Sequence, residues 1–267
     1  MAQWQKIKFY WDTMLGSKDS ILSATSTASG YDVENLFNML EWKKWKAGSG
    51  AVPMYINYDN VAGAGHTGEA DYLVILGHNL NTLNARVTLQ YSTDGFTADI
   101  NDAFTGEKPS SDGVYLKEFT NPGPKRYWRL KIEENLGGGM LSPVPYMAIC
   151  IWGLKTELDY ASAGFDPYEE EIKANVTRSD TGYVLGVHDK YRERRMTLRF
   201  EDADDSLYQK IKDWWDENGL KNFFVAWERG NRPDDVFLMM PEPKFNNPFK
   251  LTGRRDITIN LIGRRDQ

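Results

Sequence analysis

The side chains able to do chemistry are few and scattered. His66, His78 and His188 are the three histidines, and none stands at a ligand or triad spacing from another. No HExxH, CxxC, GxSxG or P-loop occurs, so the chain reads as non-enzymatic. Gly63-Ala64-Gly65-His66-Thr67-Gly68 matches the GxGxxG of dinucleotide sites, but that chemistry needs a helix opening inside the glycines to meet a pyrophosphate. Asp71-Tyr72-Leu73-Val74-Ile75-Leu76 follows and reads as a strand. The glycines are therefore expected to form a flexible loop, with His66 exposed on it.

Four further sets of residues have two readings each. His78, in Gly77-His78-Asn79-Leu80 directly after that strand, is either a ligand contact or, like Asn79, a polar side chain that fixes the turn by bonding to backbone. Asp94, Asp99, Asp102 and Asp112 are turn formers or hard oxygen ligands for calcium, without the EF-hand spacing. Trp42 and Trp45, in Glu41-Trp42-Lys43-Lys44-Trp45-Lys46, suit a sugar-stacking or partner-docking surface flanked by lysines; alternatively one closes the core and the other lies exposed. Arg192, Arg194 and Arg195, with Arg254, Arg255, Arg264 and Arg265, are solvated or interface faces, or else an anion site. The candidate contacts for a glycan or partner are thus Trp42, Trp45, His78 and Asn79; no catalytic residue, cofactor or metal ligand is assigned.

The elements that must position these residues are read from composition and pattern. The chain has 267 residues, 41% hydrophobic and 13% aromatic with nine Trp, enough for two cores without staples. Its 38 acidic residues outnumber 32 basic ones for a net charge of -6, which argues against duplex DNA as a ligand. The lone cysteine, Cys150 in Met147-Ala148-Ile149-Cys150-Ile151-Trp152, reads as a buried small hydrophobe or, failing that, a nucleophile, and suits a reducing compartment. The N-terminus lacks the pattern of a signal peptide, and no stretch approaches the 18 apolar residues of a membrane span.

From residue 54 to 154 the sequence is a series of short runs broken by Gly, Pro and Asn: Met54–Tyr58, Asp71–Gly77, Ala85–Ser92, Gly113–Phe119, Arg126–Glu133 and Tyr146–Leu154. These predict an antiparallel sandwich. Alternation sends Val87, Leu89 and Tyr91 inward and Arg86, Thr88 and Gln90 outward, and likewise Trp128, Leu130 and Ile132 inward. Ala161-Ser162-Ala163-Gly164-Phe165-Asp166-Pro167 loosens the pattern, so the domains are placed at 1–163 and 164–267. In the second, strands are expected at Tyr183–Val187, Arg195–Phe200, Asn222–Trp227, Val236–Met240 and Asp256–Ile262. One amphipathic helix is expected at 204–218, with Leu207, Ile211, Trp214 and Trp215 on its packed face. The fold class is mainly β, with that helix flanking the C-terminal sheet.

Beyond these patterns, the order Asn35-Leu36-Phe37, Trp42-Lys43-Lys44-Trp45, Met54-Tyr55-Ile56-Asn57-Tyr58, Gly77-His78-Asn79-Leu80, Tyr91-Ser92-Thr93-Asp94-Gly95 and Arg126-Tyr127-Trp128-Arg129-Leu130-Lys131-Ile132 resembles the galactose-binding-like (discoidin-type) jelly roll over residues 20–157. It looks especially like versions carried by tail proteins of tailed bacteriophages. Thr181–Arg264 is similar in layout to the tail-tube-like β domain of distal tail and hub proteins. The resemblance implies a virion tail or baseplate component, made in the host bacterial cytoplasm, that assembles into a homo-oligomeric ring and presents its jelly roll outward. Its implied partners are tube, hub, tape-measure or receptor-binding proteins, and a host surface glycan. The alternative is a carbohydrate-binding module that uses loop aromatics without catalysis.

Overall fold

The computed structural model describes residues 4–15, 21–60, 68–251 and 253–265. The chain forms two compact units, Tyr10–Lys155 and, discontinuously, Met1–Phe9 with Thr156–Gln267. In the first part of the chain, β1 (Lys8–Thr13), β2 (Ile21–Ala24) and a 3-10 turn (Val33–Phe37) precede β3 (Trp45–Lys46), β4 (Met54–Asp59), β5 (Tyr72–Leu76) and β6 (Ala85–Ser92). Then come β7 (Asn101–Asp102), β8 (Tyr115–Glu118), β9 (Tyr127–Glu134), β10 (Tyr146–Met147) and β11 (Ile149–Glu157). Two sheets pack as a jelly-roll sandwich: β2, β4, β9, β6 and β7 in that order, and the C-terminal half of β1 beside β11, β5 and β8, with β3 and β10 as a separate pair.

Period-two patterning makes this arrangement. Met54, Ile56 and Tyr58 of β4 and Trp128, Leu130 and Ile132 of β9 turn inward, while β5 is apolar throughout and buried on both faces. Across the sandwich, Tyr58 of β4 meets Trp152 of β11 edge-on at 6.3 Å, and its hydroxyl donates to the Met14 carbonyl at 2.7 Å. Each such side chain contributes roughly 1.5–3 kcal/mol by leaving water. Thr88 and Gln90 do turn away from the core, yet they too are buried, because residues 101–107 cover that face. There Gln90 donates to Asp102 at 2.6 Å and accepts from Arg129 at 2.7 Å.

The second unit carries β12 (Glu170–Arg178), β13 (Val184–Ala203), α1 (Asp205–Asn218), β14 (Phe223–Ala226), β15 (Val236–Pro241), β16 (Phe249–Leu251) and β17 (Arg254–Arg264). Its sheet runs β12, β13, β17, β15, β14, with β16 on β17. The helix lies where its capping chemistry puts it: Asp204 accepts from the Leu207 amide at 2.8 Å, and the Gly219 amide closes on Trp215 at 3.1 Å. Its buried face, Ile211 and Trp214, packs on Phe9 and Phe223, each 5.0 Å from Trp214 between ring centroids. The two runs expected at Tyr183–Val187 and Arg195–Phe200 are one 20-residue strand, β13. Its charged middle stands in solvent on both faces, where a strand needs no apolar alternation.

The division of the chain differs from the boundary near 164. Residues 4–9 belong with the C-terminal unit because Leu158 donates to Ile7 at 2.9 Å, the Gln5 amide to Glu228 at 2.9 Å and the Tyr160 hydroxyl to Trp4 at 3.0 Å. The loose Ala161–Pro167 segment lies inside that unit, tied by Ser162 to Arg199 at 2.7 Å and by Phe165 against Trp227. Small polar residues there mark a loop on a formed core.

Close approach of β1 to β11 needs a glycine, since a Cβ on Gly153 would lie 2.0 Å from the Asp12 carbonyl oxygen. Gly153→Ala is expected to cost about 2 kcal/mol or more by forcing the strands apart. A melting temperature lowered by at least about 5 °C would register it.

Candidate functional site

Trp42 and Trp45 part company in the fold. Trp45 is fully buried and donates from its indole to Thr27 Oγ1 at 3.2 Å; it cannot stack on a ligand, because a three-residue step along the loop turns it into the core. Trp42 is 75% exposed, with the Lys43 ammonium 5.2 Å from its ring centre. Val33 and Leu36 of the 3-10 turn anchor the loop from below, and the Asn35 amide donates to the Lys44 carbonyl at 3.1 Å. Pairing of β3 with β10 sets Lys46 opposite Tyr146, where Lys44 lies 4.4 Å over the Tyr146 ring and Lys46 lies 5.6 Å over Tyr31. The result is a surface of Tyr31, Trp42 and Tyr146 interleaved with Lys43, Lys44 and Lys46.

His78 and Asn79 lie beneath, both buried. His78 accepts on Nδ1 from the Leu80 amide at 3.2 Å, with an Asp112 oxygen 3.7 Å away. Burial pulls the imidazole down to about 4 against the pull of Asp112, so it is neutral at pH 7. Asn79 accepts from the Tyr146 amide at 3.0 Å and donates to the Val144 carbonyl at 3.1 Å, which fixes the strand carrying Tyr146. Both fix the turn and its neighbours; neither is presented for direct contact with a ligand.

The aspartates satisfy local turns. Asp94 accepts from the Ala98, Asp99 and Thr97 amides, and these bonds, led by Ala98, hold its carboxyl down to about 2. Asp99 is taken by Thr93 and Asn101, Asp102 by Gln90, and Asp112 by Asn81 and Thr82. Among the described residues, no three His, Cys, Asp or Glu side chains cluster as a metal site. Cys150 is buried and its thiol is pushed up by desolvation, far from a nucleophile's range. The arginine clusters are spent internally: Arg194 stacks on Phe237 at 3.7 Å, Arg255 lies between Tyr208 and Phe249, and Arg195 and Arg265 pair with Glu171 and Glu170. His66 and Gly63–Thr67 lie outside the described residues; the strand β5 follows them, so no helix opens there.

Several solved jelly rolls are similar to this chain. No protein-family model matches it, and no curated protein matches it. The chitosan-binding module 1 of a chitosanase/glucanase from Paenibacillus sp. IK-5 covers 51% of this chain and 95% of its own, at 15% identity and a TM-score of 0.39. A CBM32 module from Clostridium perfringens, solved with GalNAc-β-1,3-galactose, covers 51% and 96% at 16% identity and a TM-score of 0.39. A Ruminococcus gnavus GH29 fucosidase in complex with fucose covers 55% of this chain at 14% identity and a TM-score of 0.43, and the match spans only 27% of the fucosidase. Carbohydrate-binding CBM32 modules of the galactose-binding-like jelly-roll type are thus among the structural neighbours.

Sequence spacing missed Tyr31 and Tyr146. Tyr146 is a hundred residues from Lys46 and reaches it only through strand register; its one local sign is the lone aromatic after Pro145 in a polar stretch. The buried His78 also sets a pH dependence. Its folded pKa lies below the unfolded value near 6.5, so stability is whole above pH 6.5 and falls as the unfolded chain takes up a proton down to about pH 4. Urea unfolding at pH 7 and pH 4.5 is expected to show a loss of roughly 2 kcal/mol from this group, and His78→Gln to show a correspondingly shallower acid decline.

Proposed function

We propose that this is a non-catalytic binding protein whose jelly roll docks a saccharide on the Trp42 surface. The observation that carries the reading is Trp42 itself, 75% exposed on a loop whose neighbour Trp45 is locked in the core. A rigid indole offers a large apolar face at low entropic cost, matching the C–H face of a sugar ring. Tyr31 and Tyr146 extend the aromatic area, and three lysines around them add donors and positive charge. Those ammonium groups favour sugars bearing carboxylate or sulfate groups over neutral ones.

Titration calorimetry with acidic oligosaccharides, chosen from a glycan array, tests this. Trp42→Ala is expected to weaken binding at least about tenfold, or 1.4 kcal/mol, with an unchanged melting temperature. Trp45→Ala, by contrast, is expected to cost about 3–5 kcal/mol of stability. Equal affinity of wild type and Trp42→Ala, or an array without a binding glycan, would sink the reading.

A second reading keeps the chain as a tail or baseplate component of a bacteriophage virion that assembles into a ring. What favours it is the β12–β13 ribbon, with Val176, Val184, Leu185 and Val187 about half exposed or more, since apolar exposure of this kind suits burial against other subunits. Tube, hub, tape-measure or receptor-binding proteins are the partners it would bind. Co-sedimentation with such proteins should be lost when residues 175–188 are replaced by a two-residue turn; retention would count against it.

A further inference from the structure

The sheet of the C-terminal unit ends at β12, with no strand on its outer edge. β13 reaches β17 only from Glu193 onward, so from Ala174 to Asp189 the two strands pair with each other alone. An isolated two-stranded ribbon is marginal in water, and a long edge without proline is an invitation to pair. The register shifts at Lys173/Ala174 and Thr177/Arg178 leave Lys190 and Leu185 as the extra residues of β13. The irregularities therefore fall on β13, and β12 keeps an unbroken alternation over nine residues.

We propose that β12 adds antiparallel to β12 of a second copy of this chain, about a two-fold axis through Ala174. A two-fold normal to the sheet preserves faces, so opposed residues must share parity and their numbers must sum to an even value. With the axis at Ala174, Glu170 opposes Arg178 of the partner subunit, Ile172 opposes the partner's Val176, and Ala174 opposes its own copy, all on one face. An axis at Lys173 would set Glu170 against valine, and one at Asn175 would set Ile172 against arginine. Only the central register matches charge with opposite charge and apolar with apolar. Ile172 and Val176 are 51% and 48% exposed in the single chain, and the pairing covers both. Glu170 already accepts from Arg265, so the incoming guanidinium completes a charge cluster. The pairing is independent of glycan binding at Trp42.

The test uses the full chain, whose single native cysteine is buried. Under mild oxidation Ala174→Cys is expected to form a disulfide-linked dimer, because opposed Cβ atoms lie about 5 Å apart. Ile172→Cys and Val176→Cys, each about 14 Å from its own copy, should cross-link at least tenfold less when alone and efficiently when mixed. In sedimentation, Arg178→Glu should raise the dimer dissociation constant about tenfold. A wild-type monomer at about 100 µM, equal cross-linking at all three positions, a dimer indifferent to Arg178→Glu, or capture of a different protein along β12 in place of a second copy would each overturn the pairing.

Discussion

The complete burial of Trp45 is the constraint on which the candidate site rests. Its indole is held in the core and donates to Thr27, so the loop before it has nowhere to go but outward. That geometry leaves Trp42 in solvent and, through β3, brings Lys44 and Lys46 over Tyr146 and Tyr31. Asn79 holds the other side, bonding both the Val144 carbonyl and the Tyr146 amide. A solvent-facing aromatic surface is thus produced by buried residues, and its rigidity comes from the packing beneath it.

The same logic explains which of the residues able to do chemistry stay inert. His78 is neutral because it is dry, the aspartates are saturated by nearby amides and hydroxyls, and the arginines are stacked on rings or paired with glutamates. Each is occupied in maintaining a turn, an edge or a packing contact. What remains facing water with a directional character is the set of aromatics and lysines on one loop, together with the open ribbon of the other unit.

Much of the fold was legible in the sequence, because period-two runs such as Val87–Tyr91 and Trp128–Ile132 must bury one side. The helix was equally plain, with Asp204 before it, Asn218-Gly219 after it and an apolar stripe between. β12 was invisible for a physical reason: Glu170–Arg178 is exposed on both faces and carries no burial signal. β1 escaped because Lys8-Phe9-Tyr10-Trp11 does not alternate; its first residues are buried in succession. Half of the site could be named from the Trp42–Trp45 spacing, but not which indole would face out. Tyr146 depended on a register that no local pattern encodes.

The route of the backbone has a consequence for biogenesis. Residues 4–9 are stitched to Leu158, Asp159 and Glu228, so the jelly roll is an insertion within a unit whose two pieces are separated by its whole length. On a ribosome the inserted sandwich can close as soon as residue 155 emerges, whereas the opening segment must wait, unmatched, for the last third of the chain. Until then Phe9 lacks the aromatic neighbours it meets on Trp214 and Phe223. The later-folding unit is consequently the one whose completion reports that synthesis has run nearly to its end.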